Sequence, residues 1–77
     1  MIPTDTAPSA LIRIEVNGEA REVPAPATVA ELLKRLGLDT RKVAVERNLE
    51  IVPRSTYAEV ALAAGDRLEI VHFIGGG

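Results

Sequence analysis

The residues of this chain best placed to do chemistry carry no reactive side chain. The sequence closes Ile74-Gly75-Gly76-Gly77, directly after an apolar run from Leu68 to Phe73. With Gly77 as the terminus, that run ends in a bare carboxylate on a stalk of glycines. Glycine has no Cβ, so another protein's backbone can approach it closely. Such a stalk can be threaded into a narrow active site and its carboxylate activated as an acyl group. An α-carboxyl has an ordinary pKa of about 3.3–3.7, so it is ionised and nucleophilic at neutral pH. A glycine tail read alone is more often inert, because chain ends commonly fray. The rest of the chain has to decide.

Other candidate chemistry is thin. Cysteine is absent, which removes disulfides, thiolate nucleophiles and Cys-based metal sites together. If this protein handles sulfur, the sulfur must sit on the terminal carboxyl. His72 is the only histidine, with no partners at ligand spacing, so no metal site is expected. Strand alternation puts it on an inner face, which predicts a packed or edge-bonded imidazole. Glu46, Glu50 and Glu59 form no paired-carboxylate constellation. The one glycine cluster is terminal and no helix follows it, so there is no phosphate-binding loop. Any nucleotide would have to bind another protein.

Seventy-seven residues make one domain. At that size folding buries only about 60% of the exposed surface, too small an interior for a deep substrate cleft. The composition, 47% hydrophobic and 26% charged, is that of a folded protein. Net charge is −2 with no basic block, so nucleic-acid binding has no electrostatic support. No stretch approaches the ~20 apolar residues of a membrane span. The start lacks the basic and apolar regions of a signal peptide, and a cytoplasmic location is expected.

The elements that must position the tail are legible in outline. Residues 1–10 read as a flexible leader. Leu11 to Val16 alternates, with Ile12, Ile14 and Val16 on one face. Asn17-Gly18 then signals a tight hairpin. Glu19 to Val23 returns and is ended by Pro24 and Pro26. Thr28 to Gly37 is a helix with both ends written in. Thr28 and Glu31 form a capping box, while Val29, Leu32, Leu33 and Leu36 make the apolar stripe. Gly37 supplies a left-handed cap, with Leu38 as its hydrophobic contact. Lys42 to Glu46 is a third strand with Val43 and Val45 inward. Ile51-Val52 is a short strand stopped by Pro53. Tyr57 sits in an irregular segment and packs, its hydroxyl on a backbone group. Arg67 to Phe73 is the last strand, with Leu68 and Ile70 facing the core. Glu69, Val71 and Phe73 face the other way. The fold class is therefore α+β, a small mixed sheet packed on one main helix, with residues 11–74 as the domain and 75–77 as a flexible glycine tail.

Hairpin, capped helix, short strands and diglycine end together resemble the ubiquitin-like β-grasp. The stretches Val43-Ala-Val-Glu-Arg-Asn48, Ile51-Val-Pro-Arg-Ser55, Gly65-Asp-Arg-Leu-Glu-Ile-Val71 and Ile74-Gly-Gly-Gly77 are similar to one branch, the sulfur carriers of thiamine biosynthesis (ThiS-like). The likeness runs from Leu11 to Gly77. Where many members have Asn-Gly after the third strand, this chain has Asn48-Leu49, so Leu49 is either packed or offered to a partner.

The resemblance implies a carrier and not an enzyme, with no bound cofactor or metal. An ATP-dependent adenylating enzyme would join Gly77 to AMP. Sulfur from a donor such as a cysteine desulfurase would displace AMP, and thiazole synthase would take sulfur from the resulting thiocarboxylate. Gly75, Gly76 and Gly77 form the tail. Val71 and Phe73, apolar on a solvated face, are the expected partner contacts, with Ile74 beside the tail. Arg54, in the Val-Pro-Arg segment, and Leu49 complete the set. The small subunit of molybdopterin synthase, another thiocarboxylate carrier, and a ubiquitin-like interaction module whose tail is never activated remain as alternatives.

Overall fold

The computed structural model describes residues 10–73. Its strands are β1 (Leu11–Val16), β2 (Glu19–Pro24), β3 (Val43–Arg47), β4 (Glu50–Val52) and β5 (Arg67–His72). The helix α1 (Val29–Arg35) follows β2, and 3₁₀ turns at Thr40–Lys42 and Arg54–Thr56 precede β3 and follow β4. The strands form one sheet in the order β2-β1-β5-β3-β4. At its centre β1 and β5 run parallel; every other pair is antiparallel. The sheet is mixed and packs on one helix, as the alternation and the capped segment predict.

The hairpin turn is Asn17-Gly18, both at positive φ (51° and 85°), the backbone a two-residue turn between twisted strands requires. Ile14 and Val16 face inward and are buried, while Arg13 on the other face is exposed. The capping box is complete: the Glu31 N–H donates to Thr28 Oγ1 at 3.2 Å, and the Thr28 N–H donates to Glu31 Oε1 at 2.8 Å. Helical backbone covers Val29–Arg35 only, because Thr28 and Leu36 are caps with their own geometry. Gly37 takes φ +75°. Its N–H reaches Lys34 O at 3.0 Å, and that of Leu38 reaches Leu33 O at 2.9 Å. That pair of bonds is a Schellman motif, which satisfies carbonyls the helix leaves open.

Strand β3 begins one residue later than the alternation predicts. Asp39 caps the preceding turn by accepting the Arg41 N–H at 2.9 Å, which holds Lys42 in the turn. The Arg41 side chain also donates to Asp39, and these bonds hold its carboxyl down at about 2.

The core gathers one face of the sheet against α1. Ile14, Leu32, Leu33, Leu68, Val29, Val43 and Val45 are its fully buried side chains. Tyr57 and Leu62 belong to the same core, and the Tyr57 hydroxyl donates to Val43 O at 3.2 Å. Ala10, assigned to the leader by composition, accepts the Ala25 N–H at 2.8 Å. The remainder of the leader, residues 1–9, lies outside the described residues.

Candidate functional site

The tail can be presented only as well as β5 is held, and β5 is held along its length. At its start lies Asp66, a charged side chain buried with the core. Its carboxylate accepts from Arg47 Nε at 2.9 Å, Asn48 Nδ2 at 3.1 Å and the Ala63 N–H at 2.8 Å. Burial pushes this carboxyl up, but the Ala63, Arg47 and Asn48 donors outweigh it and hold it below the ordinary carboxylate range. Asn48 clamps β5 a second time, accepting the Arg67 N–H on its side-chain oxygen at 2.9 Å.

Further along, the parallel ladder from β1 stops after Val16↔Leu68. Asn17 extends it with a side chain. Its Oδ1 accepts the Ile70 N–H at 2.8 Å and its Nδ2 donates to Ile70 O at 3.2 Å. Beyond the strand, the Phe73 N–H still donates to Lys42 O at 2.8 Å. The backbone is thus fixed up to the residue that precedes Ile74.

Two faces emerge from this register. Leu68 and Ile70 pack with the core. Val71 and Phe73 point outward and stay 60% and 46% exposed, as alternation predicts. Leu49 is 87% exposed, so among the described residues it is not packed. Arg54 is exposed in the turn after β4, the edge strand, with β3 between β4 and β5. Val71 and Phe73 therefore share a face beside β3, and Arg54 stands apart at the sheet's far edge. Ile74, Gly75, Gly76 and Gly77 lie outside the described residues. His72 departs from expectation. It is exposed although it stands opposite the buried Val43, because the parallel ladder from β1 stops at Leu68 and leaves the end of β5 in a groove lined with Leu36, Leu38 and Ile70. Arg67 pairs within the chain, its Nε at 3.3 Å from Glu15 Oε1.

Sequence reasoning missed three features here. Asp66 reads as a turn residue, and nothing local marks it as buried. Asn17 is fully explained by its turn, so its grip on Ile70 goes unseen. Ile51, 68% exposed, sits in a strand of three residues, too short for alternation to assign its face. Among the described residues no cluster of His, Cys, Asp or Glu could hold a metal ion, and no helix is long and apolar enough to cross a membrane.

Comparison with known proteins places this architecture. The model of the ThiS family matches residues 14–77. The thiazole synthase of Paramagnetospirillum magneticum is 62% identical over 66 residues, which are 86% of this chain and 20% of that protein. The sulfur carrier protein ThiS of Bacillus subtilis is 48% identical over 50 residues, 65% of this chain and 76% of that protein. The crystal structure of the thiamine biosynthesis protein ThiS from Geobacter metallireducens superposes with a TM-score of 0.73 at 32% identity, covering 86% of this chain and all of that one. The chain spans about a fifth of the length of the thiazole synthases it matches.

Proposed function

The chain belongs to the ThiS family, and from that premise we propose that it carries sulfur for thiazole formation in thiamine biosynthesis, on the carboxyl of Gly77. The observation that carries this reading is the reach of the family match, which runs from the first core strand through the last glycine. The fold supports it by holding the backbone that leads to the tail as far as Phe73, whose N–H donates to Lys42 O at 2.8 Å.

The chemistry asks little of the carrier's own side chains. Ionised at neutral pH, the Gly77 carboxylate attacks the α-phosphate of ATP held by an adenylating enzyme. An acyl-adenylate forms and pyrophosphate leaves. A carboxylate is a poor acyl donor, and AMP gives it a good leaving group. A sulfur nucleophile then displaces AMP: hydrosulfide leaves a thiocarboxylate directly, whereas a persulfide passed on from a cysteine desulfurase leaves an acyl disulfide that a thiol reductant cleaves to the thiocarboxylate. Thiazole synthase takes that sulfur. In this scheme the chain is a substrate with a fold, and ATP, acid and base belong to the enzymes. Val71, Phe73 and Ile74 dock the tail's base against them.

The test is intact mass of the chain ending at Gly77, after incubation with ATP, the cognate adenylating enzyme and sulfide. The expected gain equals exchange of one oxygen for one sulfur, localised to Gly77 by fragmentation. An unchanged mass with an enzyme proven active would discard the reading in favour of a tail that is never activated.

A further inference from the structure

One end of the outer face keeps three unfavourable features together. Leu49 holds φ +72°, in the left-handed region that costs a bulky L-residue about 1–2 kcal/mol. The same side chain is 87% exposed, so no core packing compensates the strain. A glycine would relieve both. Next to it, Glu46 of β3 stands directly opposite Glu69 of β5, and like charges in that relation repel. Among the described residues neither carboxylate has a cationic partner, since Arg67, which lines the same groove, is engaged by Glu15. Leu49, Glu46 and Glu69 border one groove. Ile51 opposes Glu46 from β4, and Val71 lies two residues beyond Glu69, so the carboxylates have apolar neighbours on both sides.

Resting on the sulfur-carrier reading, we propose that this groove is the specificity element for thiazole synthase. It accepts a basic side chain of that enzyme between Glu46 and Glu69, with Leu49 as the apolar anchor. A partner cation removes the repulsion, and burial of Leu49 in a pocket returns what its exposure and strain cost the isolated fold. The chain's own first nine residues do not fit, because they contain no Lys or Arg. Thiazole synthase is favoured because relatives carry the homologous segment within a longer protein of that name.

Calorimetric titration of the thiazole synthase of the source organism tests this. The titrants are the wild-type chain, Leu49→Gly and the double variant Glu46→Gln/Glu69→Gln, each at low and high salt. Leu49→Gly is expected to raise Tm by a few degrees yet bind about tenfold more weakly or worse. The double variant is expected to melt no lower than wild type, to bind more weakly, and to lose the salt dependence that wild type shows. Variants that bind like wild type, with the same salt dependence, overturn the proposal while leaving the carrier reading intact. Loss of affinity confined to the adenylating enzyme, or self-association that Leu49→Gly abolishes, assigns the groove elsewhere and overturns it too. A wild-type chain that neither binds thiazole synthase nor takes sulfur at Gly77 overturns the carrier reading itself.

Discussion

Asp66 shows how a single side chain can set the geometry of a strand. Its carboxylate collects Arg47, Asn48 and the Ala63 N–H at the point where β5 begins. Replacing it with asparagine leaves the Arg47 guanidinium without its counter-charge. A hydrogen bond to a charged group contributes about 1.5–3 kcal/mol, so Asp66→Asn should destabilise the fold by that order in denaturant melts. The pH dependence follows from the direction of its shift. Its folded pKa is lowered from an unfolded value near 3.9. The stabilisation is therefore fully present above about pH 4 and fades as pH falls through the lower folded value. Wild type should lose stability over that acid window, and Asp66→Asn should lose less. Equal acid limbs in the two proteins would show that the carboxylate's charge does not matter. The sequence marks Asp66 as a turn residue beside Gly65 and goes no further, because its two side-chain partners lie 18 and 19 positions earlier in the chain. Leu49 is the reverse case: its place at a turn tip is visible in sequence, while its positive φ and exposure needed the structure.

At the scale of elements, legibility tracks the range of the signal. Helix α1 was readable to its caps because the Thr28–Glu31 box and the Gly37 turn are made by neighbours in sequence. Its stripe was readable as well, since Val29, Leu32 and Leu33 fall on one helical face and are all buried. Truncating the middle of that stripe should be costly: Leu33→Ala removes a fully buried side chain from a core with no second layer to collapse into it. Loss of about 2–5 kcal/mol is expected, read as a drop in the denaturant midpoint with unchanged slope. A near-neutral result would mean that α1 does not hold the sheet. What could not be read is what meets across the chain. The parallel contact of β1 with β5 joins Glu15 to Arg67, and no local pattern announces it. The late start of β3 has a local cause, yet Asp39's bond to the Arg41 N–H competes with a strand that propensity alone extends to Lys42.

On the scale of the whole molecule, the sheet separates two tasks. One face is committed to the core, and its buried hydrophobic residues run from Ile14 to Leu68. The opposite face carries Val71 and Phe73, which among the described residues are no part of the buried core. Phe73→Glu should therefore leave Tm nearly unchanged while weakening affinity for the adenylating enzyme or thiazole synthase, because it puts a charge into an apolar contact; unchanged affinity for both would remove Phe73 from the interface. The sharpest separation is at Gly77. Glycine has no side chain to bury, so deleting this residue should not move the denaturant midpoint. It nevertheless moves the terminal carboxyl onto Gly76, a residue's length short of its position in the full chain. Acyl activation requires the carboxylate at the α-phosphate in near-attack geometry, where a misplacement of about 1 Å can cost on the order of 10²-fold in rate. The deletion should therefore fold like wild type and fail to gain sulfur by intact mass. Sulfur uptake at the wild-type rate by the shortened chain would mean that the position of the carboxylate, and with it the reason for a glycine tail of this length, is not what the enzymes read.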